Sequence, residues 1–272
     1  MRPIMKIFAL VPAVLCLLAA RVEAKNGLLY PVTLGQFENH TKYAGPLDLA
    51  GTFSTGLADV LQSTGLFLIV PENEMLGADK TPITGPISPA QLMLRGEITA
   101  FVDGQPGASH AEITAVVTLV DVVTGQVKGV KNIVSQARYA GSSPGLTDAN
   151  INRDLTAFKK TNAGQALTAA VEDAMGFCVA QLVGLPWSGS VILVKGNQIY
   201  FNRGQREGVV PGQVYKVGTS EVVRDPGTGD VLDNRFTEKA QIRVDSVKEK
   251  VATCSLIIGS GIERGMSVLP KE

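Results

Sequence analysis

Ala111-Glu112-Ile113-Thr114-Ala115-Val116-Val117-Thr118-Leu119-Val120, running into Asp121-Val122-Val123-Thr124-Gly125-Gln126-Val127, is the stretch on which the fold turns. Its period-two, β-branched character suits a pleated surface with one face buried. Thr124-Gly125 supplies a turn, because a tight hairpin needs residues that tolerate positive φ, and residues 127–136 resume with the same composition. Antiparallel pairing is therefore predicted. After Asn162 the period changes: Leu167, Val171, Ala174, Cys178 and Leu182 recur at helical spacing, while Glu172, Asp173 and Gln181 fall elsewhere on the wheel. That pattern describes a helix laying one face on a sheet, closed by Gly184 and Pro186 ahead of Trp187.

Upstream, Leu28, Tyr30, Val32 and Leu34 alternate as a first strand. A helix follows, with Pro46 suited to its first turn, Leu49, Phe53, Leu57, Val60 and Leu61 on one face, and Gly65 just past its end. Residues 66–70 form a continuous apolar run stopped by Pro71, which predicts a central strand in a sheet covered on at least one face by helices. Residues 72–89, rich in Gly and Pro, read as an irregular connection before the sheet resumes near Leu92. The order strand, helix, strand, three strands, helix predicts an α/β (α+β) layer with a mixed sheet flanked by helices. From Ser188 the grammar changes to short strands at 191–194, 198–201, 214–217, 240–247 and 251–258, separated by Gly, Pro, Asn and Asp, the pattern of a small all-β, SH3-like barrel.

The start of the chain reads as a leader. Lys6, an apolar run over residues 7–20 and Val22-Glu23-Ala24 predict a signal peptide over 1–24, cut after Ala24. About fourteen apolar residues fall short of the roughly twenty that a spanning helix needs. Cys16 follows Leu15, where a lipidation signal needs a small residue, so lipid attachment is not expected. Residues 25–187 then form the layered domain and 188–272 the barrel. The leader holds Arg2, Lys6, Arg21 and Glu23 of the chain's 25 basic and 25 acidic residues, leaving 22 against 24. Such a balance gives no electrostatic footprint for nucleic acid.

The chain offers little to catalysis or to metals. It has no Gly-x-Ser-x-Gly elbow and no phosphate-binding Gly-Lys-Ser/Thr loop, and Glu97 and Asp121 lie in strands where a solvent-facing position is the default. His40 and His110 with two mature cysteines are too few for a four-ligand zinc site. Asp225 and Asp230 flank Pro-Gly-Thr-Gly, which makes a hairpin turn but lacks the alternating acids of a calcium loop. Neither a cofactor nor a small-molecule substrate is expected. Cys178 and Cys254 are either a disulfide, permitted in an oxidising compartment, or two small buried residues.

Leu94-Arg95-Gly96-Glu97-Ile98, the Val120 to Val127 hairpin and the Thr161-Asn162 approach to the helix resemble the curli assembly/transport (CsgG) family over about residues 28–186, and the element order is similar to the amino-terminal domain of the translocation protein TolB. Curli transporters carry two long insertions that become membrane hairpins. Here Asp103-Gly104-Gln105-Pro106-Gly107-Ala108-Ser109 joins one strand pair, and residues 139–160 are polar, so no pore is expected. Gly204, Gly208-Val209, Gly212, Tyr215-Lys216-Val217, Asp225 to Leu232 and Gly265-Met266-Ser267-Val268 look like the carboxy-terminal domain of the flagellar assembly protein FlgT. Together the resemblances imply a non-enzymatic periplasmic scaffold near the outer membrane, a homo-oligomeric ring component of a flagellar or curli-like machine with protein partners in the envelope. The alternative is a monomeric periplasmic regulator that binds a cell-wall synthase.

Overall fold

The computed structural model describes residues 27–45, 47–77, 79–103, 110–138, 158–229 and 231–271. Ala24, Pro46, the 104–109 connection, residues 139–157 and Asp230 lie outside them, so the expectations placed there concern undescribed residues.

The first unit holds β1 (Tyr30–Asn39), α1 (Leu49–Ser63), β2 (Phe67–Ile69), β3 (Leu92–Val102), β4 (Ala111–Asp121), β5 (Val127–Ala137) and α2 (Asn162–Gln181). The helix limits follow from their caps. Asp48 accepts from the Gly51 amide at 3.0 Å, so α1 begins at Leu49, and it ends before Gly65, whose φ of 67° any other residue would resist. Thr161 does the same for α2, accepting from the Gly164 amide at 3.0 Å. The sheet runs β2-β1-β3-β4-β5, parallel across its first three strands and antiparallel across the rest. Burial alternates along the whole of β4. Ile113, Ala115, Val117 and Leu119 join Phe53, Leu57, Leu167 and Val171 of the helices in one apolar cluster, which puts α1 and α2 on the same side of the sheet. Among the described residues no helix lies on the opposite face, and there Val130 and Val134 of β5 are more than half exposed.

Residues 66–70 were expected to be a central strand, but β2 has three residues and sits at the sheet edge. The apolar run is buried for another reason. Leu66 and Phe67 pack with the main cluster, whereas Val70 joins Met75, Ala90 and Val122 in a second one beneath the 72–89 connection. A short edge strand covered by its own following loop is also poorly exposed to foreign strands.

The second unit contains β6 (Gly189–Lys195), β7 (Gln198–Phe201), β8 (Val214–Arg224), β9 (Val231–Val247), β10 (Ala252–Gly259) and β11 (Ser267–Pro270). These close into a six-stranded barrel in the order β10-β7-β6-β11-β8-β9, with every neighbouring pair antiparallel. Val191, Phe201, Tyr215, Val217, Ile242, Val244 and Cys254 fill it. The barrel is a packed core, not a channel.

Sequence periodicity ended one strand at residue 217 and began the next at 240, yet β8 continues to Arg224 and β9 starts at Val231. Between those limits the two strands form a ribbon outside the barrel. Its residues are mostly exposed on both faces, so no apolar alternation marks them. The turn at its tip is set by Asp225, whose Oδ1 accepts from the amides of Gly227 (2.7 Å) and Thr228 (2.9 Å); these bonds hold its carboxyl below the usual range.

Candidate functional site

The two units meet across a buried polar seam. Trp187 Nε1 donates to the Leu29 carbonyl at 2.9 Å, Tyr30 Oη to the Leu185 carbonyl at 2.7 Å, and the Leu29 amide to the Glu207 carbonyl at 3.0 Å. Gln91 holds the linker from β3's side: its Nε2 donates to the Pro186 carbonyl at 2.7 Å and its Oε1 accepts from the Ser188 amide at 3.0 Å. From the barrel, Asn202 Nδ2 donates to the Ser88 carbonyl at 3.1 Å while its Oδ1 accepts from the Ser190 amide at 2.7 Å. Linker and connection are thus stitched to both units through side chains, because neither segment has a strand partner for its backbone groups.

Arg203 is the centre of the seam. It is 1 % exposed, and its guanidinium donates only to carbonyls: Nε to Ser188 at 3.1 Å, Nη1 to Asn202 at 2.9 Å, Pro89 at 3.1 Å and Ser88 at 3.3 Å. Burial away from water pulls its pKa down to about 10, against the raising influence of the nearby Glu207 charge. It remains a cation at neutral pH. A planar fork with several donors can serve carbonyls arriving from two units, which a lysine ammonium cannot do with the same geometry.

Glu207, fully buried, fastens the turn after Arg203: its Oε2 accepts from the Gly204 amide at 2.7 Å and its Oε1 from Arg206 Nε at 2.7 Å. Arg206 Nη1 reaches across to Glu74 Oε2 at 2.7 Å, where Lys250 Nζ also lies at 3.0 Å. Burial alone would raise the Glu74 carboxyl, but the hydrogen bonds and charges of Arg206 and Lys250 outweigh it and hold the group below its ordinary 4.5. A depressed acid contributes stability that is complete above the unfolded value and lost as pH falls through the folded one. Between pH 5 and pH 3 the melting temperature of the native chain is therefore expected to fall more steeply than that of Glu74→Gln, and equal slopes in calorimetry would contradict this role.

Beside the seam lies a cleft of about 350 Å³. The linker at Leu185 and Pro186 lines it together with the β4–β5 turn at Val123 and, on the ribbon, Ser220, Leu232 and Phe236. Arg224 Nη2, near the ribbon tip, donates to the Thr124 carbonyl at 2.8 Å and so bridges barrel and sheet at one end of the cleft.

Several residues singled out in the sequence have structural roles here. Asp121, expected at a solvent-facing position, is buried, and its Oδ1 accepts from the Val123 (2.9 Å) and Thr124 (3.1 Å) amides to shape the β4–β5 turn. Glu97 lies 3.5 Å from His40, and His110 is 3.9 Å from Glu112. Cys178 and Cys254 are not paired: both are free, buried thiols, one on α2 and one in the barrel wall. Burial pushes each up to about 12, with Asp245 adding to the effect at Cys254, which makes them inert packing groups. Among the described residues no cluster of three or more His, Cys, Asp or Glu is placed to hold a metal, and no helix is long and apolar enough to cross a membrane. Arg203 and Gln91 were not legible as site residues, since their partners in the other segment lie far along the chain; Arg203 and Ser88 are 115 residues apart, and Gln91 and Pro186 are 95 apart.

Fold and seam together define a two-layer α+β unit coupled to a closed antiparallel barrel. No family model and no curated protein matches the chain. Solved structures similar to part of it include the hypothetical protein CT253 from Chlamydia trachomatis, at 14 % identity over 57 % of this chain and 99 % of that one, with a TM-score of 0.45. The PelC dodecamer from Paraburkholderia phytofirmans is similar at 11 % identity, 54 % of this chain, 87 % of that one and a TM-score of 0.37. Lipoprotein GNA1162 from Neisseria meningitidis is similar at 15 % identity, 47 % of this chain, 94 % of that one and a TM-score of 0.31.

Proposed function

We propose that the chain is an exported, non-enzymatic binding scaffold of the Gram-negative cell envelope, working at the periplasmic side of the outer membrane. The observation that carries this reading is the seam. Its polar side chains, buried Gln91 and Arg203 and half-buried Asn202, bind backbone groups of the linker and of the 72–89 connection, so their chemistry holds two units in one arrangement. What that arrangement offers to other molecules is surface: a sheet face with exposed valines, the long edge strand β5 and a projecting ribbon. The leader motif ending at Ala24 supports export.

In finer terms, the scaffold is a homo-oligomer, a ring component of a flagellar or curli-like machine. Its SH3-like barrel recognises another envelope component, and the β5 side of the sheet meets neighbouring copies, as cyclic assembly requires complementary patches on one subunit. Export is tested by expressing the full chain in a Gram-negative host and sequencing the amino terminus of the protein in each fraction. The expected product begins at Lys25 and is recovered from periplasm and outer membrane; an uncut chain confined to the cytosol would refute the reading.

A further inference from the structure

In an antiparallel pair only alternate residues turn their N–H and C=O toward a given neighbour. Gln213, just before β8, accepts from Val244 of β9, whereas Val214 accepts from Lys271, just past β11. Even-numbered residues of β8 therefore face β11 and odd-numbered ones face β9. The β11 pairing stops at Ser267, opposite Gly218. Before Ser267 the chain turns away, and the Met266 carbonyl accepts from the Val191 amide of β6. Ser220 and Val222 are the next even-numbered residues, so their N–H and C=O point along an edge where no described strand continues β11.

That edge borders the cleft. Ser220 lines it, the Ser220 and Ser267 hydroxyls meet at 2.8 Å where β11 ends, and Arg224 on Thr124 marks the far end. Leu232 and Phe236 of the ribbon, with Leu185 and Pro186 of the linker, give it apolar lining. The free edge is short, about three residues between two fixed points, and the β4–β5 turn faces it. A single extended segment fits such a slot, whereas the sheet edge of a second folded copy would meet the turn. Asp121, Lys128 and Asp233 put both signs of charge on the lining, so no strong field favours an acidic or a basic ligand.

We propose that β8 is a strand-addition site: a short extended peptide of a partner protein, with uncharged side chains, pairs with the backbone of Ser220 and Val222 and places the apolar side chains of one face in the cleft. This deepens the reading of the chain as a scaffold and rests on it. The occupant is recognised mainly through its main chain, and the cleft of about 350 Å³ has room for more than one of its side chains.

The test uses the mature full chain and a phage-displayed library of random heptapeptides, with the enriched peptide synthesised and followed by amide hydrogen exchange. Protection of the Ser220 and Val222 amides by at least tenfold is expected on peptide addition. Val222→Pro, which removes an edge N–H while leaving the ladder to β9 intact, is expected to weaken binding at least tenfold. The proposal is overturned if no peptide is enriched, if the enriched peptide leaves both amides unprotected, or if a folded Val222→Pro binds as tightly as the native chain. It is equally overturned if these amides become protected with rising protein concentration and no peptide, which would give the edge to a second copy. Should Val222→Pro fail to fold, the exchange result on the native chain decides alone. A multi-subunit native mass without peptide protection sinks the strand-addition site and leaves the scaffold standing.

Discussion

Replacing Arg203 by methionine is expected to lower the unfolding free energy by roughly 3–5 kcal/mol, a loss of about 6–20 °C in melting temperature for a chain of this size. Methionine restores much of the volume, so the effect is not chiefly a cavity. The Pro89, Ser188 and Asn202 carbonyls lose the Arg203 donor, while that of Ser88 keeps Asn202 Nδ2, and each buried acceptor left without a partner costs about 1–3 kcal/mol. Two effects reduce the sum. Removing a buried cation relieves the desolvation that pulls its pKa down to about 10, and water can reach part of the exposed seam. Arg203→Lys is expected to recover less than half of the loss, because one ammonium cannot span carbonyls from both units. Trp187 is the only tryptophan of the chain and lies in the same seam. Its emission is therefore expected to shift to the red in folded Arg203→Met, and a variant with native stability and unchanged emission would show that the seam does not depend on Arg203.

Trp187→Ala is expected to cost about 3–5 kcal/mol, the range for emptying a buried aromatic site. The indole is 3 % exposed and packs against the Tyr215 ring at a centroid distance of 5.8 Å, so its loss opens the core where linker and barrel join. Trp187→Phe separates packing from the hydrogen bond to Leu29. It keeps most of the apolar contact and is expected to cost only about 1–2 kcal/mol, chiefly for the stranded carbonyl. Urea unfolding followed by circular dichroism measures both, since tryptophan fluorescence is lost in the variants themselves. Equal losses for the two variants would mean that the Nε1 bond, and not the ring, holds the junction.

The parts of the fold that the sequence made legible are those where burial is one-sided. β4 alternates because one face meets helices and the other does not, and α2 shows its stripe because a single face is covered. β2 misled because an edge strand roofed by its own loop is as apolar as a central one. The ribbon was invisible for the opposite reason: with water on both faces, Thr219 to Lys239 carry no apolar period to detect. Asp121 looked like an exposed strand carboxylate, and only the turn geometry shows that its oxygen is buried against two amides. The seam escaped altogether, because Arg203, Asn202 and Gln91 bind main-chain atoms, and a carbonyl has no residue type to read.

The central claim, that this is a scaffold which works in multiple copies, is tested most directly by its native mass. Light scattering on the mature protein, taken both from the soluble periplasm and from detergent-extracted outer membrane, is predicted to show a multi-subunit species in the membrane fraction. A monomer confined to the soluble fraction would contradict the account and favour a regulator that acts on its partner one to one.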